Sequence, residues 1–243
     1  MKTLAFDISS SITGWNVIDN DKLVDYGVIQ PLKTMSITQR LYTFGNELEK
    51  TIDRFKPDEI VLEEVIQVQG VSTMRTLARF NGVAIYQCYK YQKREVMLLE
   101  PTLWKKAMGL RGSASKIEIQ IKVCETFKLL TKSVLNEYKE NLEIIISRYN
   151  KVKEVLQDAR KEVSVLNAKL KQKRPTEIEK KQMTEELKVL KERIKELERK
   201  DKKATIIMKK EMKQQSVDIY SDSGIDDNIA DSIGVNLAFR GML

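Results

Sequence analysis

Acidic side chains mark the ends of several strand-like and helical segments of this 243-residue chain. Asp7 ends a short apolar run, Glu63 lies in a second one, and Asp231 stands among small and apolar residues near the end of the sequence. Asp227 lies four residues before Asp231, so a helix would carry both on one face. Carboxylate oxygens are the ligands that hard cations such as Mg²⁺ select, and paired Mg²⁺ ions promote phosphodiester hydrolysis. The set therefore predicts metal-dependent phosphodiester chemistry.

Each acid also has an ordinary structural interpretation. Asp7 could be a simple turn residue, Glu63 with Glu64 could form an exposed strand edge, and the pair Asp226 and Asp227 could cap a helix. Asp231 is the hardest to explain in this way, because an acid among apolar neighbours needs a partner or a metal. In this order along the chain, the acids form a moderately specific signal.

Composition removes several other chemistries. The chain has no histidine, which excludes Ser-His-Asp triads, Cys-His pairs and most zinc or copper sites. The two cysteines, Cys88 and Cys124, lack Cys-x-x-Cys spacing, so we expect ordinary core thiols. No apolar run reaches the roughly 20 residues that span a bilayer, and we expect no membrane association and a cytoplasmic protein.

The elements that position the acids follow an α/β pattern. Apolar alternation and turn residues predict the order βββαβαβα over the first 131 residues, which is typical of a mixed sheet flanked by helices. The predicted strands are 2–8, 14–19, 22–29, 59–65 and 96–99, and the predicted helices are 36–55, 71–90 and 115–130. A last helix is predicted over 225–239, after a linker or short strand at 216–223.

Between these parts lies a segment of different character. Apolar residues recur at alternating spacings of three and four from Leu135 to Leu170 and again from Met183 to Met208, which indicates two coiled-coil arms. Pro175 interrupts them and Pro-Thr-x-x-Glu favours a new helix start, so we predict an antiparallel hairpin. The predicted domains are a nuclease core at 1–132, a hairpin at 133–215 and a core-completing helix at 216–243.

The basic charge concentrates in this hairpin. The chain has a formal charge of +8, while residues 151–215 have 21 Lys and Arg against 12 Asp and Glu, or +9. The charge looks dispersed and not arrayed in a stripe. Three interpretations stay open: contact with duplex DNA, a dimer interface, or docking of a partner protein.

Five motifs are similar to one known family. The chain resembles RuvC-type Holliday-junction resolvases of the RNase H-like superfamily, with a long coiled-coil insertion that has no counterpart there. The matching stretches are Ala5–Trp15, with the strand-end Asp and a following Thr-Gly, Pro57–Val65, Gly82–Ala84, Gly112–Lys116, and Ala230–Ile233, which is similar to an Ala-Asp-Ala-Leu helix.

The resemblance implies a set of site residues. Asp7, Glu63 and Asp231 match the family's metal ligands and catalytic acids. The family has Asp or His three residues before the last Asp, where this chain has Asn228, so either Asn228 or Asp227 could be the fourth ligand.

The family also places lysines close to the scissile phosphate. Lys116 matches such a catalytic position and, with Lys105 and Arg111, is expected to contact DNA. Ile66 falls where relatives carry a residue that enters the opened junction, although a buried strand-end isoleucine is an equal alternative.

The implied activity is resolution of four-way DNA junctions by paired symmetric incisions in a homodimer. Two Mg²⁺ ions per site are expected, with Mn²⁺ as a substitute. The alternatives are a catalytically weakened junction-binding scaffold, or another RNase H-like nuclease that acts on RNA or branched DNA. The setting would be the cytoplasm of a bacterium or of a virus-infected cell.

Overall fold

The chain forms two compact units in the computed structural model, which describes residues 1–66, 70–172 and 176–241. One unit, the sheet unit, comprises Met1–Leu135 and Ser216–Leu243. The other, the helical unit, comprises Asn136–Gln215. The sheet unit is therefore assembled from two separate segments of the chain.

The sheet unit contains five strands and the helices that flank them. The strands are β1 (Lys2–Asp7), β2 (Thr13–Asp19), β3 (Lys22–Ile29), β4 (Glu59–Glu63) and β5 (Met97–Leu99). The shorter helices are α1 (Ile37–Phe55), α2 (Val71–Gln92), α3 (Pro101–Ala107), α4 (Lys116–Thr126) and α7 (Asp227–Gly241). Two long helices, α5 (Lys132–Gln172) and α6 (Glu177–Ser223), supply the helical unit.

The sheet is mixed, as the sequence predicts. Its strand order is β3-β2-β1-β4-β5. The first three strands pair antiparallel, whereas β1 pairs with β4, and β4 with β5, in parallel. Because Phe6 of β1 pairs with Leu62 of β4, the next residues, Asp7 and Glu63, end neighbouring strands at the same edge of the sheet.

Alternating side chains of β1 pack into two hydrophobic cores, one on each face of the sheet. Leu4 and Phe6 pack with residues of α1 and α2, whereas Ala5 packs with residues of α3, α4 and α7. This alternation follows from the period of two in a strand. The second face carries α7, so the last helix completes a core begun by the first strand.

Two sequence-based expectations about secondary structure were wrong. Residues 216–223 are neither linker nor strand, because α6 continues helically to Ser223 with Ile219 fully buried. Helix α3 was missed. Its seven residues are too few for a stable isolated helix, and Trp104 is fully buried beneath α7, so tertiary packing stabilises it.

The helical unit is an antiparallel pair. Ion pairs join Arg148 to Glu211 at 3.6 Å, Arg160 to Glu198 at 2.9 Å and Glu162 to Arg193 at 3.8 Å. Residue numbers fall on α6 as they rise on α5, which defines the antiparallel arrangement.

The predicted seam and the predicted start of α6 agree with the helical unit. The apolar residues of the seam are buried or half-buried along both helices. Thr176 caps the start of α6 with Glu179. The break predicted at Pro175 lies outside the described residues. Among the described residues, no helix combines the length and apolar character that crossing a bilayer requires.

Candidate active site

Two carboxyl groups meet where β1 and β4 end. Asp7 and Glu63 share a hydrogen bond, and burial, followed by this bond and the charge of Glu63, raises the pKa of Asp7 well above its usual 3.8. Removing a carboxylate from water disfavours its charged form, and a second carboxylate nearby adds to the effect. A bound cation would offset the repulsion between the two carboxylates.

Trp104 fixes the orientation of Glu63. The indole Nε1 of this fully buried residue donates a hydrogen bond to Glu63 Oε1 at 3.3 Å. Its ring lies against α7 at Gly234, where an added Cβ would come within 2.5 Å of the ring. No local sequence pattern indicates this role, because it depends on the packing of α3 against α7.

Buried polar side chains hold α7 in a fixed rotation against β1 and β2. Asn16 donates to Ser232 Oγ at 3.1 Å, and Asn236 donates to Asn16 Oδ1 at 2.8 Å and to the Thr3 carbonyl oxygen at 3.0 Å. Breaking one of these buried bonds would leave a polar group unsatisfied. Sequence reasoning missed the network, although an asparagine in an apolar strand was a usable signal.

A close approach at Gly14 fixes the start of α7. A Cβ on Gly14 would lie 2.0 Å from the carbonyl oxygen of Asn228. A side chain at this position is therefore sterically excluded. The Thr-Gly pair that follows Asp7 in the sequence thus has a structural role in placing the acids of α7.

Asp231 is half-buried in this cluster, and one of its oxygens has no hydrogen-bond partner among the described residues. Its Oδ1 is buried and accepts no hydrogen bond from the described residues. Burial, followed by the charge of Asp7, raises the pKa of Asp231 to about 7. Asp226 differs, because its Oδ1 accepts from the backbone N–H of Ile229 at 2.7 Å and so caps α7. The capping interpretation is correct for Asp226.

Asp227 and Lys116 form a close ion pair beside these acids. Lys116 Nζ donates to Asp227 Oδ2 at 2.5 Å. Burial lowers the pKa of Lys116, but the hydrogen bond to Asp227 and the charges of Asp231 and Asp7 outweigh it, so the pKa is raised. Asn228 donates its amide to Asp227 Oδ1 at 3.3 Å. Asp227 therefore receives contacts from both neighbours.

The three other predicted DNA-contacting residues have different surroundings. The ammonium of Lys105 lies 5.3 Å from the centre of the Trp104 ring and its charge acts on Asp231. Arg111 pairs with Glu118 at 3.0 Å. Ile66 is 49% exposed, so the buried strand-end interpretation of this residue was wrong.

The chemistry of the donor set suits a hard cation. Within 1–66, 70–172 and 176–241, no three acidic or cysteine side chains converge as a formed metal centre. The cluster nevertheless holds four carboxyl groups, from Asp7, Glu63, Asp227 and Asp231, and one of them has a buried oxygen without a partner. Oxygen donors of this kind bind Mg²⁺ or Mn²⁺.

Comparison with known proteins identifies the family. The family model described as crossover junction endodeoxyribonuclease RuvC matches residues 3–148, which is more than half of the chain. The chain belongs to the RuvC family. Crossover junction endodeoxyribonuclease RuvC of Dictyoglomus thermophilum is 30% identical over 133 residues, covering 53% of this chain and 84% of the relative. The Finegoldia magna protein of the same name is 30% identical over 138 residues, covering 54% and 80%.

Solved RuvC structures are also similar to this chain. Thermus thermophilus RuvC matches with a TM-score of 0.46 and 16% identity, covering 53% of this chain and 81% of that one. The same protein in complex with a Holliday junction substrate gives a TM-score of 0.46 and covers 79% of that chain. RuvC proteins are divalent-metal-dependent nucleases. The family match ends at residue 148, within α5, and does not include α7. The place of α7 in the site is therefore known from the structure of this chain.

Proposed function

We propose that this protein is a metal-dependent endonuclease that resolves four-way DNA junctions. One observation carries the proposal. In a chain of the RuvC family, the ends of β1 and β4 and one face of α7 bring Asp7, Glu63 and Asp231 into one electrostatically coupled cluster. Phosphodiester hydrolysis is the chemistry that such a cluster supports when it holds divalent cations.

Four carboxyl groups would hold the metal. Asp7, Glu63, Asp231 and Asp227 would be the ligands of two Mg²⁺ ions, for which Mn²⁺ substitutes. When bound, the ions supply an activated water and stabilise negative charge on the phosphate. We assign the fourth position to Asp227 and not to Asn228, because the charge of Asp227 acts on both Asp7 and Asp231 whereas the Asn228 amide contacts Asp227.

Lys116 would contact the scissile phosphate. It is the first residue of α4, whose N-terminus is held by the capping box of Ser115 and Glu118. Its contact with Asp227 holds the ammonium at the edge of the acidic cluster. A DNA phosphate placed there would compete with Asp227 for this ammonium, so Lys116 would neutralise the phosphate, and Asp227 would be one of the residues that hold the metal.

The remaining DNA contacts follow from exposure and charge. Lys105 and Arg111 would bind backbone phosphates beside the cut strand. Ile66, exposed beyond the end of β4, would contact bases at the junction centre. Two symmetric incisions require two sites, so the active form would be a homodimer, acting in the cytoplasm of a bacterium or of a virus-infected cell.

The test is incision of an end-labelled synthetic four-way junction in Mg²⁺ and in Mn²⁺, beside a linear duplex. The variants are Asp7→Asn and Asp231→Asn, and the matched control is Asp53→Asn, an exposed acid on α1. We expect paired symmetric nicks that both site variants reduce at least about a hundredfold. The control should cut at the rate of the unmodified protein.

Two results would replace this proposal. Tight junction binding with no nicks in either metal would favour a scaffold, for which the departure at Asn228 is the motivating observation. Preferential cutting of a structured RNA of equal shape would favour an RNA-directed nuclease of the same fold.

A further inference from the structure

A row of cations follows the outer surface of α6. Lysine occupies every seventh position at 181, 188, 195, 202 and 209, and Lys191, Arg199 and Lys213 fill neighbouring turns. Spacings of three and four place these residues on one helical face. We call these eight residues the α6 basic row. The helix thus aligns, from 195 to 213, basic residues that look scattered in the sequence.

The acids around the row are largely engaged elsewhere. Each of the eight basic side chains is exposed, and Lys188 forms a long ion pair of 3.7 Å with Glu185. Between 195 and 213, Glu196 pairs with Lys200, and Glu198 and Glu211 pair with arginines of α5. Asp201, the fourth acid of this span, is half-buried with a buried Oδ1. Glu185 and Glu192 lie on the same face among the first lysines of the row, so it is the stretch from 195 to 213 whose positive charge is little neutralised.

The outer surface of α5 differs in charge pattern. Its exposed lysines at 151, 161 and 169 are interspersed with the acids Glu154, Asp158 and Glu162. Asp158 pairs with Lys161 at 3.0 Å, and Glu162 pairs with Arg193 of α6. From 195 to 213 the α6 row is of one sign, whereas the α5 surface is of mixed sign, so the α5 lysines provide a matched internal control.

We propose that the α6 basic row binds the sugar-phosphate backbone of double-stranded DNA. The proposal rests on the proposed function, since the duplex arms of a branched substrate are the polyanion that a junction nuclease meets. The row extends from Lys181 to Lys213, or about 48 Å at about 1.5 Å per residue. A duplex carries one phosphate charge per roughly 1.7 Å of its axis, so several phosphates lie within reach along this length.

The chemistry of the row favours binding to the phosphates of DNA over recognition of a base sequence or binding to a lipid surface. Lysine acts as a point charge that attracts phosphate without reading bases. A helix that lies on a membrane needs a wide apolar face, whereas the face formed by positions 195, 199, 202, 206, 209 and 213 carries Ile206 among five cations. Binding through this row would add affinity for duplex of any sequence and would weaken as salt rises.

The experiment measures duplex binding of the full chain in EDTA, so that no strand is cut. A fluorescent 30-base-pair duplex is titrated at several salt concentrations with three proteins: the unmodified chain, Lys195→Gln/Arg199→Gln/Lys202→Gln on the row, and Lys151→Gln/Lys161→Gln/Lys169→Gln on α5. Both triple variants lose the same charge at exposed helix positions where glutamine is well tolerated. Circular dichroism melting checks that each variant folds.

We expect the row variant alone to bind at least about tenfold more weakly and to lower the slope of log K against log salt by about two to three. Equal losses in both variants would overturn the proposal, since net charge alone would then explain binding. Unchanged duplex binding by the row variant, or row-dependent capture by anionic vesicles without duplex binding, would also overturn it. Junction incision in Mg²⁺, measured in parallel, separates failure of the nuclease proposal from failure of this one.

Discussion

Trp104 shows how one residue links the core of this protein to its candidate chemistry. Its ring fills the space between α3 and α7, and its N–H contacts Glu63. A carboxylate ligand must be held in position if metal geometry is to be reproducible, and such outer contacts typically change metal affinity by about 10–100-fold. Trp104 is accordingly a positioning residue and not a catalytic one.

The substitution Trp104→Phe tests this role. Phenylalanine keeps an aromatic ring but removes the N–H, so we expect incision to slow about tenfold and the Mg²⁺ concentration for half-maximal rate to rise. The control is Trp15→Phe, a similar loss of volume at a buried tryptophan that packs on Phe55. An equal change in Mg²⁺ requirement in both variants would assign the effect to packing alone.

The raised pKa of Asp231 predicts that stabilisation of the protein by Mg²⁺ depends on pH. The pKa of Asp231 in the folded protein is about 7, above its ordinary 3.8. The folded state therefore holds this proton more tightly than the unfolded state, and the resulting stabilisation is lost as pH rises from about 4 through 7. A bound cation favours the ionised form, so Mg²⁺ should stabilise the protein more at high pH.

Thermal melting at about pH 5.5 and pH 8, with and without Mg²⁺, measures this effect. We expect the Mg²⁺-induced increase in Tm to be larger at pH 8, and Asp231→Asn to reduce the increase at pH 8 most. An increase independent of pH in both proteins would show that the ion binds away from these carboxyls.

At the scale of elements, the site depends on how closely α7 approaches the sheet. The carbonyl of Asn228 occupies the space that a side chain at position 14 would need. The Asn16, Ser232 and Asn236 network then fixes the rotation of the helix. The distance of α7 from the sheet and its rotation about its own axis are thus set by separate contacts. Both are required to place Asp231 and Asp227 near the ends of β1 and β4.

The substitution Gly14→Ala should displace α7. The added methyl would overlap the Asn228 carbonyl, so we expect a loss of about 2–4 kcal/mol in unfolding free energy and strongly reduced incision. Gly82→Ala is the control, because nothing lies within 4 Å of an added Cβ at this exposed position of α2. It should be neutral or stabilise by up to about 1 kcal/mol. Urea unfolding with both variants measures the difference.

At the scale of the whole molecule, the helical unit separates α7 in sequence from the strands it completes. Closing so long a loop costs chain entropy, although the cost grows slowly with length. Antiparallel pairing of α5 with α6 brings the two ends of the insertion together, as the bond from Gln215 to the Tyr138 carbonyl at 2.6 Å shows. Formation of the hairpin therefore lowers the entropic cost of docking α7.

Paired incision predicts a distinct result for mixed dimers. Unmodified protein carrying an affinity tag is unfolded and refolded with excess Asp7→Asn chain, and the tagged species is purified. If the active form is a symmetric homodimer, each mixed dimer has one working site and should nick one strand of the junction without releasing nicked duplex products. Full resolution by the mixed species at the unmodified rate would contradict a dimer with one site per subunit.

The sequence by itself determined the parts of this protein that depend on local pattern. Period-two alternation predicted the three antiparallel strands, the absence of histidine limited the chemistry to carboxylates, and seam periodicity predicted both arms of the hairpin. Asp7, Glu63 and Asp231 were identifiable as candidates from the order of the acids along the chain, the apolar surroundings of Asp231 and the resemblance of their motifs to one family. These features require no knowledge of which segments meet.

Only the tertiary structure decided what long-range packing controls. Helix α3 forms because Trp104 is buried under α7, and residues 216–223 stay helical because Ile219 is buried. The contact of Lys116 with Asp227 joins residues 111 positions apart, and no local pattern encodes such a distance. The cost of burying a charge or a polar group, and the contact that offsets it, exist only once distant segments are packed together.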